Sequence, residues 1–141
     1  MDGYLSVLDG VVGRDELDTL LDRIWAGALD PVSIELCRLR IARLLGDTHG
    51  AEHRSPEAVR AGLDESLVER LSHWPTDPGF DDRQRAVLRF TEGYVIDAHS
   101  LTDSDRAIVL DHLSEPEATA LTLALATFDA LTRTRLALGA D

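Results

Sequence analysis

Residues 30–62 read DPVSIELCRLRIARLLGDTHGAEHRSPEAVRAG, and the fold turns on this stretch. Asp30 suits a helix N-cap and Pro31 the first helical position, where a missing N–H is harmless. Ile34, Cys37, Ile41 and Leu44 then recur at 3-4-3 spacing, which predicts a helix with one buried face. Gly46 ends that helix, and Asp47 can accept the free N–H groups of a second one. Ser55-Pro56 stops the second helix and caps a third, which runs to Gly62. Two helices therefore meet at a sharp corner at Gly46, with Glu35 on the first and His49 and His53 on the second. Arg38, Arg40, Arg43, Arg54 and Arg60 lie in the same stretch.

Outward from the corner the pattern stays helical. Leu17, Leu20, Leu21, Ile24 and Trp25 predict an amphipathic helix over 14–28, whose charged side (Asp15, Glu16, Asp18, Asp22, Arg23) reads as a solvated face. Asp64 caps a predicted helix over 65–74, with Leu67, Val68 and Leu71 inward. WPTDPGFDD, residues 74–82, is the one clear loop, a plain connection or a lid over a pocket. Ala86, Val87, Phe90, Tyr94 and Val95 predict a helix over 82–96, and Thr102 with Asp105 opens another, reaching about 113, through a capping-box pattern. Ser114 and Glu117 cap the last helix, which is apolar on nearly every side as far as Arg133. Such a helix is buried centrally or packed against another subunit.

Composition narrows the chemistry. A chain of 141 residues suits one structural domain, in which residues 1–29 form an N-terminal segment with its amphipathic helix and residues 30–141 the main body. A net charge of −12 repels phosphate backbones and anionic membranes, which argues against nucleic acid or membrane as partner. All fourteen basic residues are Arg; without Lys there is no Schiff base and no Lys-anchored cofactor. A single cysteine, Cys37, excludes an intramolecular disulfide and multi-cysteine metal sites. The start, MDGYLSVLDG, lacks the basic-then-apolar pattern of a secretion signal, and the longest uncharged run of the terminal helix is too short to span a bilayer, so a cytoplasmic protein is expected.

At the corner the chain resembles the carboxymuconolactone decarboxylase and alkylhydroperoxidase (AhpD-like) family. The family pattern is a helix carrying Glu, an Arg five residues later in a run such as LR-I-A-x-L, then Gly. A Cys-x-x-Cys follows, opening the next helix, with a His four residues on and an Ala-Gly beyond it. Glu35, Arg40, Gly46, Ala58 and Gly62 fall in that register, and the likeness extends over roughly residues 25–138. It implies an all-α, AhpD-like helical domain of six to eight helices, assembled as a homo-oligomer, a trimer or hexamer. It also implies that Glu35 corresponds to the proton-relay acid. In the same register Asp47 and Gly50 stand where the two cysteines would be, Arg54 stands where the His would be, and His53 lies one residue short of that place. A peroxidase of this kind needs a low-pKa thiolate and a resolving thiol, and neither is present.

Three accounts of the corner residues stay open on the sequence. His49 and His53, four apart on a predicted helix, could bind zinc with Glu35 or Asp47 completing the set. The same groups without metal could transfer protons, with Glu35 as acid/base and its pKa raised by burial. On a structural account Asp47 is only a cap, His53 and Arg54 complement a helix end, and Glu35 pairs with Arg38 at the surface. Arg43 could pair with Asp47, and Cys37 reads as an inert core thiol. The expectation is a small-molecule enzyme performing cofactor-free decarboxylation, isomerisation or elimination. Glu35, His53 and His49 would be catalytic, Arg54, Arg38 and Tyr94 would hold the substrate, an anionic one being suited to the arginines, and no metal would be required. A non-catalytic ligand-binding or oligomeric protein and a residual alkylhydroperoxidase are the alternatives. His73, His99 and His112 receive no role.

Overall fold

A computed structural model describes residues 3–140, and among them every regular element is helical. Met1, Asp2 and Asp141, at the outer ends of the two segments drawn from the sequence, lie outside the described residues. A 3-10 turn, Gly3–Leu8, leads into α1 (Arg14–Trp25) and α2 (Pro31–Leu45). Three short helices follow: α3 (Thr48–Glu52), α4 (Pro56–Arg60) and α5 (Glu65–Glu69). The long helices α6 (Asp82–Asp97), α7 (Asp103–His112) and α8 (Glu115–Ala137) complete the chain. The expected all-α architecture of six to eight helices is present.

Most helix starts are set by side chains within four residues. Asp30 accepts from Ser33 N at 2.9 Å, Asp47 from Gly50 N at 2.9 Å and Asp64 from Ser66 N at 2.9 Å. Reciprocal capping boxes open α6 (Asp81 with Gln84), α7 (Thr102 with Asp105) and α8 (Ser114 with Glu117). Each satisfies donors that a helix N-terminus would otherwise leave bare. Ser55 stands at the start of α4 but its side chain does not cap it, because the hydroxyl is turned to Glu35 instead. The predicted helix over 65–74 is also shorter: α5 stops at Glu69, and a 3-10 turn, Leu71–His73, carries the chain on.

The one-sided burial expected for α2 is exceeded. Nine of its residues, including Ser33, Glu35 and Arg38, are buried, because the helix runs between two apolar clusters. Ile34, Cys37 and Ile41 face the larger cluster, with Leu21, Ile24, Trp25, Leu125 and Phe128. Leu36 and Leu39 face the smaller one, with Leu67, Leu71, Trp74, Phe80 and Leu88. The 74–82 loop is therefore an anchored connection: Trp74 and Phe80 are both in the smaller cluster, and Trp74 Nε1 donates to Glu92 at 2.7 Å. The terminal helix is correspondingly less enclosed by this chain than its composition predicts. Along α8, Leu121, Leu125, Phe128 and Leu131 are buried, while Leu123 is 46% exposed and Leu138, just past the end of the helix, 54%.

Candidate active site at the helix corner

The corner is closed by backbone geometry first. Gly46 takes φ +76°, in the left-handed region where a Cβ is strained, and Asp47 N donates back to Ala42 O at 2.8 Å. This reverses the chain at the end of α2 and stacks α3 and α4 on it. Glu35, almost three turns before the end of α2 and fully buried, then meets the segment that follows α3. Its carboxylate accepts from Arg38 Nε and Ser55 Oγ (3.2 Å) on one oxygen and from Ser55 N on the other. Arg38 is just as buried and uses the rest of its guanidinium on carbonyls, with Nη1 to Gly50 O at 2.9 Å and Nη2 to His53 O at 2.7 Å. The Glu35–Arg38 pair expected at the surface is thus internal, and it ties α2 to both sides of the following turn.

His49 and His53 do not share a helical face. α3 ends at Glu52, and His53 follows in extended backbone (φ −70°, ψ 143°). His49 is exposed, whereas His53 is partly buried and stacks on the ring of Tyr4, with centroids 5.0 Å apart and planes 12° from parallel. Its Nε2 is closed to solvent and has no hydrogen-bond partner among the described residues. Burial, followed by the nearby Arg38 guanidinium, pushes its pKa down to about 4, with Glu35 acting the other way, so the ring is neutral at pH 7. Among the described residues no three His, Cys, Asp or Glu side chains are grouped to hold a metal ion, so the zinc set His49, His53 and Glu35 is not assembled.

The other predicted residues are placed as follows. Arg54 forms an ion pair with Glu65 at 2.9 Å and donates to Ala51 O and His53 O. Tyr94 is partly buried and packs against the larger apolar cluster. Cys37 is buried, its sulfur accepts from Thr91 Oγ1 at 3.3 Å, and desolvation pushes the thiol up to about 12, which keeps it a thiol.

Two residues at this corner escape the sequence reading, Tyr4 and Arg135. Arg135, on α8, forms an ion pair with Asp47, and its Nε donates to Tyr4 O at 2.6 Å. Asp47 therefore caps α3 with one oxygen and neutralises a distant arginine with the other, and the pairing with Arg43 does not form. The Arg135 guanidinium lies 4.2 Å from the Tyr4 ring centroid and that of Arg38 lies 5.3 Å from it. Gly50 leaves room for this arrangement: a Cβ there would lie 3.1 Å from Tyr4 Cε2 and would run into the Asp47 carboxylate. Arg135 had a signal, since it falls seven residues after Phe128 and four after Leu131, in register with the buried stripe of α8. Tyr4 had none, because a 3-10 turn carries no 3.6-residue apolar period.

The architecture is that of AhpD-like proteins. A protein of unknown function from Agrobacterium tumefaciens, with a suggested assignment as the antioxidant defence protein AhpD, matches at TM-score 0.81. The match covers 92% of this chain and 90% of that one at 19% identity. A cysteine-to-alanine variant of the debrominase Bmp8, in complex with 2,3,4-tribromopyrrole, matches at TM-score 0.76 and 18% identity, over 97% of this chain and 74% of that one. An uncharacterised peroxidase-related protein from Silicibacter sp. TM1040 matches at TM-score 0.77 and 14% identity, over 95% and 80%. No family model matches the sequence and no curated protein matches it, so the likeness is one of fold.

Proposed function

We propose that this chain is a small-molecule enzyme that moves protons without a cofactor at the α2–α3 corner, with His53 as the base. The observation that carries this is His53 Nε2: a neutral imidazole nitrogen, shielded from water, without a partner, on a residue whose carbonyl is held by Arg38. In the reaction, Nε2 takes the α-proton of a β,γ-unsaturated carbonyl compound, the C–H electron pair moves onto the carbonyl oxygen to give a dienolate, and as the pair flows back through the C=C the same proton is delivered to the γ-carbon. That sequence is an isomerisation. Elimination expels a β-leaving group from an enolate formed by the same proton removal, whereas decarboxylation reaches an enolate by breaking the C–C bond to the carboxylate, releasing CO2, and ends with protonation of the carbon. A base with a pKa near 4 is weak, yet bases of comparable strength work where the developing oxyanion is well held. Glu35, read from the sequence as the acid/base, has donors on both oxygens, which supports a positioning part: it holds Arg38 and Ser55, and through them the backbone at His53.

A debrominase on the same fold supports small-molecule chemistry as something this architecture can house. Self-assembly through the exposed apolar side of α8 belongs to the same reading. The test follows deuterium wash-in from solvent into a panel of β-keto acids, carboxylated lactones and halogenated pyrroles. His53→Gln should lower exchange at least about 100-fold with an unchanged melting temperature. Wild-type rates in that variant would remove His53 as the base.

A second reading, a binding protein without catalysis, draws on the mutual pairing of Glu35 with Arg38 and Asp47 with Arg135, which leaves no charged side chain of that quartet unpaired. It predicts no exchange with any member of the panel. Peroxide reduction has no support in the site, since Cys37 is the sole cysteine and is sealed as a thiol.

A further inference from the structure

The flank of α1 that borders α8 carries one charge of each sign. Glu16, Leu20 and Arg23 follow one another along it at 4-3 spacing, while Asp15, Asp18 and Asp22 fall on the opposite side of the helix. Glu16 and Arg23 are both exposed, and neither side chain has an ion pair or hydrogen bond among the described residues. Leu17 and Leu20 are only partly buried, and between them and α8 runs a groove of about 350 Å³, floored by Ala126, Ala130 and Leu131. α8 brings no charge to it from Ala118 to Phe128. Before α1, Gly10 and Gly13 take φ +77° and +89° and turn the chain so that Val12 is fully exposed. Just past the other end of α1 the exposed residues are small: Ala26, Gly27 and Ala28.

Copies of a chain with net charge −12 repel one another, so they approach where carboxylates are absent or matched. A surface that binds its own copy about a two-fold axis must also be self-complementary, each feature answered by another on the same surface. The α1 flank meets both conditions when it is reversed end to end. An axis through Leu20, with the two α1 helices antiparallel, sets Glu16 of each copy beside Arg23 of the other and Val12 opposite Ala28. Leu20 of each copy then stands at the other's groove. We propose that this chain pairs with a second copy about a two-fold axis through the α1 flank and the adjoining side of α8, with reciprocal Glu16–Arg23 contacts around Leu20. A wholly basic partner would match Glu16 and oppose Arg23, whereas a second copy answers both. A closed trimer has no such axis, so the contact belongs to a dimer or to a larger assembly of dihedral symmetry. The inference rests on the self-association read above for α8, to which it gives a symmetry and contacts, and it does not depend on the role of His53.

Sedimentation equilibrium of the full chain provides the test. Wild-type protein should associate at micromolar concentration. Glu16→Arg and Arg23→Glu each set like charges against one another twice, because the axis repeats the contact, and each should raise the dissociation constant at least about tenfold. The double variant Glu16→Arg/Arg23→Glu exchanges the two signs and should return the constant to within about threefold of wild type. Both side chains are exposed and unpaired within the chain, so the monomer should stay folded in every variant. A wild-type chain still monomeric at about 100 μM, single reversals without effect, or a double variant as weak as the singles would overturn the proposal. Cross-linking gives a second readout, since the native cysteine, Cys37, is buried. Under mild oxidation Leu20→Cys should yield a disulfide-linked pair and Asp22→Cys, on the far side of α1, should not. Linkage through Asp22→Cys alone would also overturn it. A lowered sedimentation coefficient for Leu123→Ala with no response to the charge reversals would keep association along α8 and sink the α1 contact.

Discussion

α2 and α8 are both rich in apolar residues, and the fold uses them in opposite ways. α2 carries four charged residues, Glu35, Arg38, Arg40 and Arg43, yet two of these are completely buried along with seven neighbours. α8 has long uncharged runs and still leaves Leu123, Ala126 and Ala130 on its exposed side. The difference lies in the neighbours. α2 has an apolar cluster on each flank and the corner helices packed beyond its buried carboxylate, whereas α8 has one cluster on one side. Apolar content alone does not decide burial; the number of faces that other elements cover does. Charge is admitted to the interior where local geometry supplies partners, as the turn after Gly46 does for Glu35 and Arg38.

The sharpest way to break this contrast is to unpair the buried charge of α2. Arg38→Ala leaves the buried Glu35 carboxylate without its counter-charge and removes the Arg38 bonds to the carbonyls of Gly50 and His53, and should destabilise the fold by about 3–5 kcal/mol in denaturant titration. Next comes the apolar flank: Leu39→Ala opens a cavity in the smaller cluster and should lose about 2–4 kcal/mol. A smaller effect belongs to His53, which is partly exposed and so partly screened. The folded chain binds its proton only near pH 4, while the unfolded imidazole does so near 6.5. Between these values the unfolded state takes up a proton that the native state refuses. Stability should therefore decline as pH falls from about 6.5 toward 4 and gain no further slope from this group below that. Comparison of denaturation midpoints with His53→Gln across that window isolates the contribution. The smallest change is expected on α8, where Leu123→Ala should alter monomer stability by no more than about 0.5 kcal/mol. If a second copy covers that face, the same substitution should lower the sedimentation coefficient at micromolar concentration; a large loss of monomer stability would erase the contrast between the two helices.

Much of the helix inventory could be read in advance because its signals are local. Asp30, Asp47, Asp64, Thr102 and Ser114 act on backbone within a few residues, and five of the helix starts follow from them. Ser55 shows where that logic stops. By position it is a cap, but the carboxylate of Glu35, brought across by the fold, competes for its hydroxyl. The pairing of Asp47 is a second case: Arg43 is near in sequence, whereas the true partner, Arg135, comes from the last helix.

Composition, capping residues and 3.6-residue periodicity determined by themselves that this chain is all-helical, that it reverses at Gly46, and that Glu35 and a histidine would flank the reversal. Only the tertiary structure decided that His53 rather than His49 is enclosed, that Glu35 and Arg38 are internal, and that Tyr4 lies over the corner. The reason is range. A cap or an amphipathic stripe is satisfied within one or two turns of chain, but the pairing of a buried charge and the docking of a terminal aromatic depend on which distant segments the packing of α2, α6 and α8 brings together.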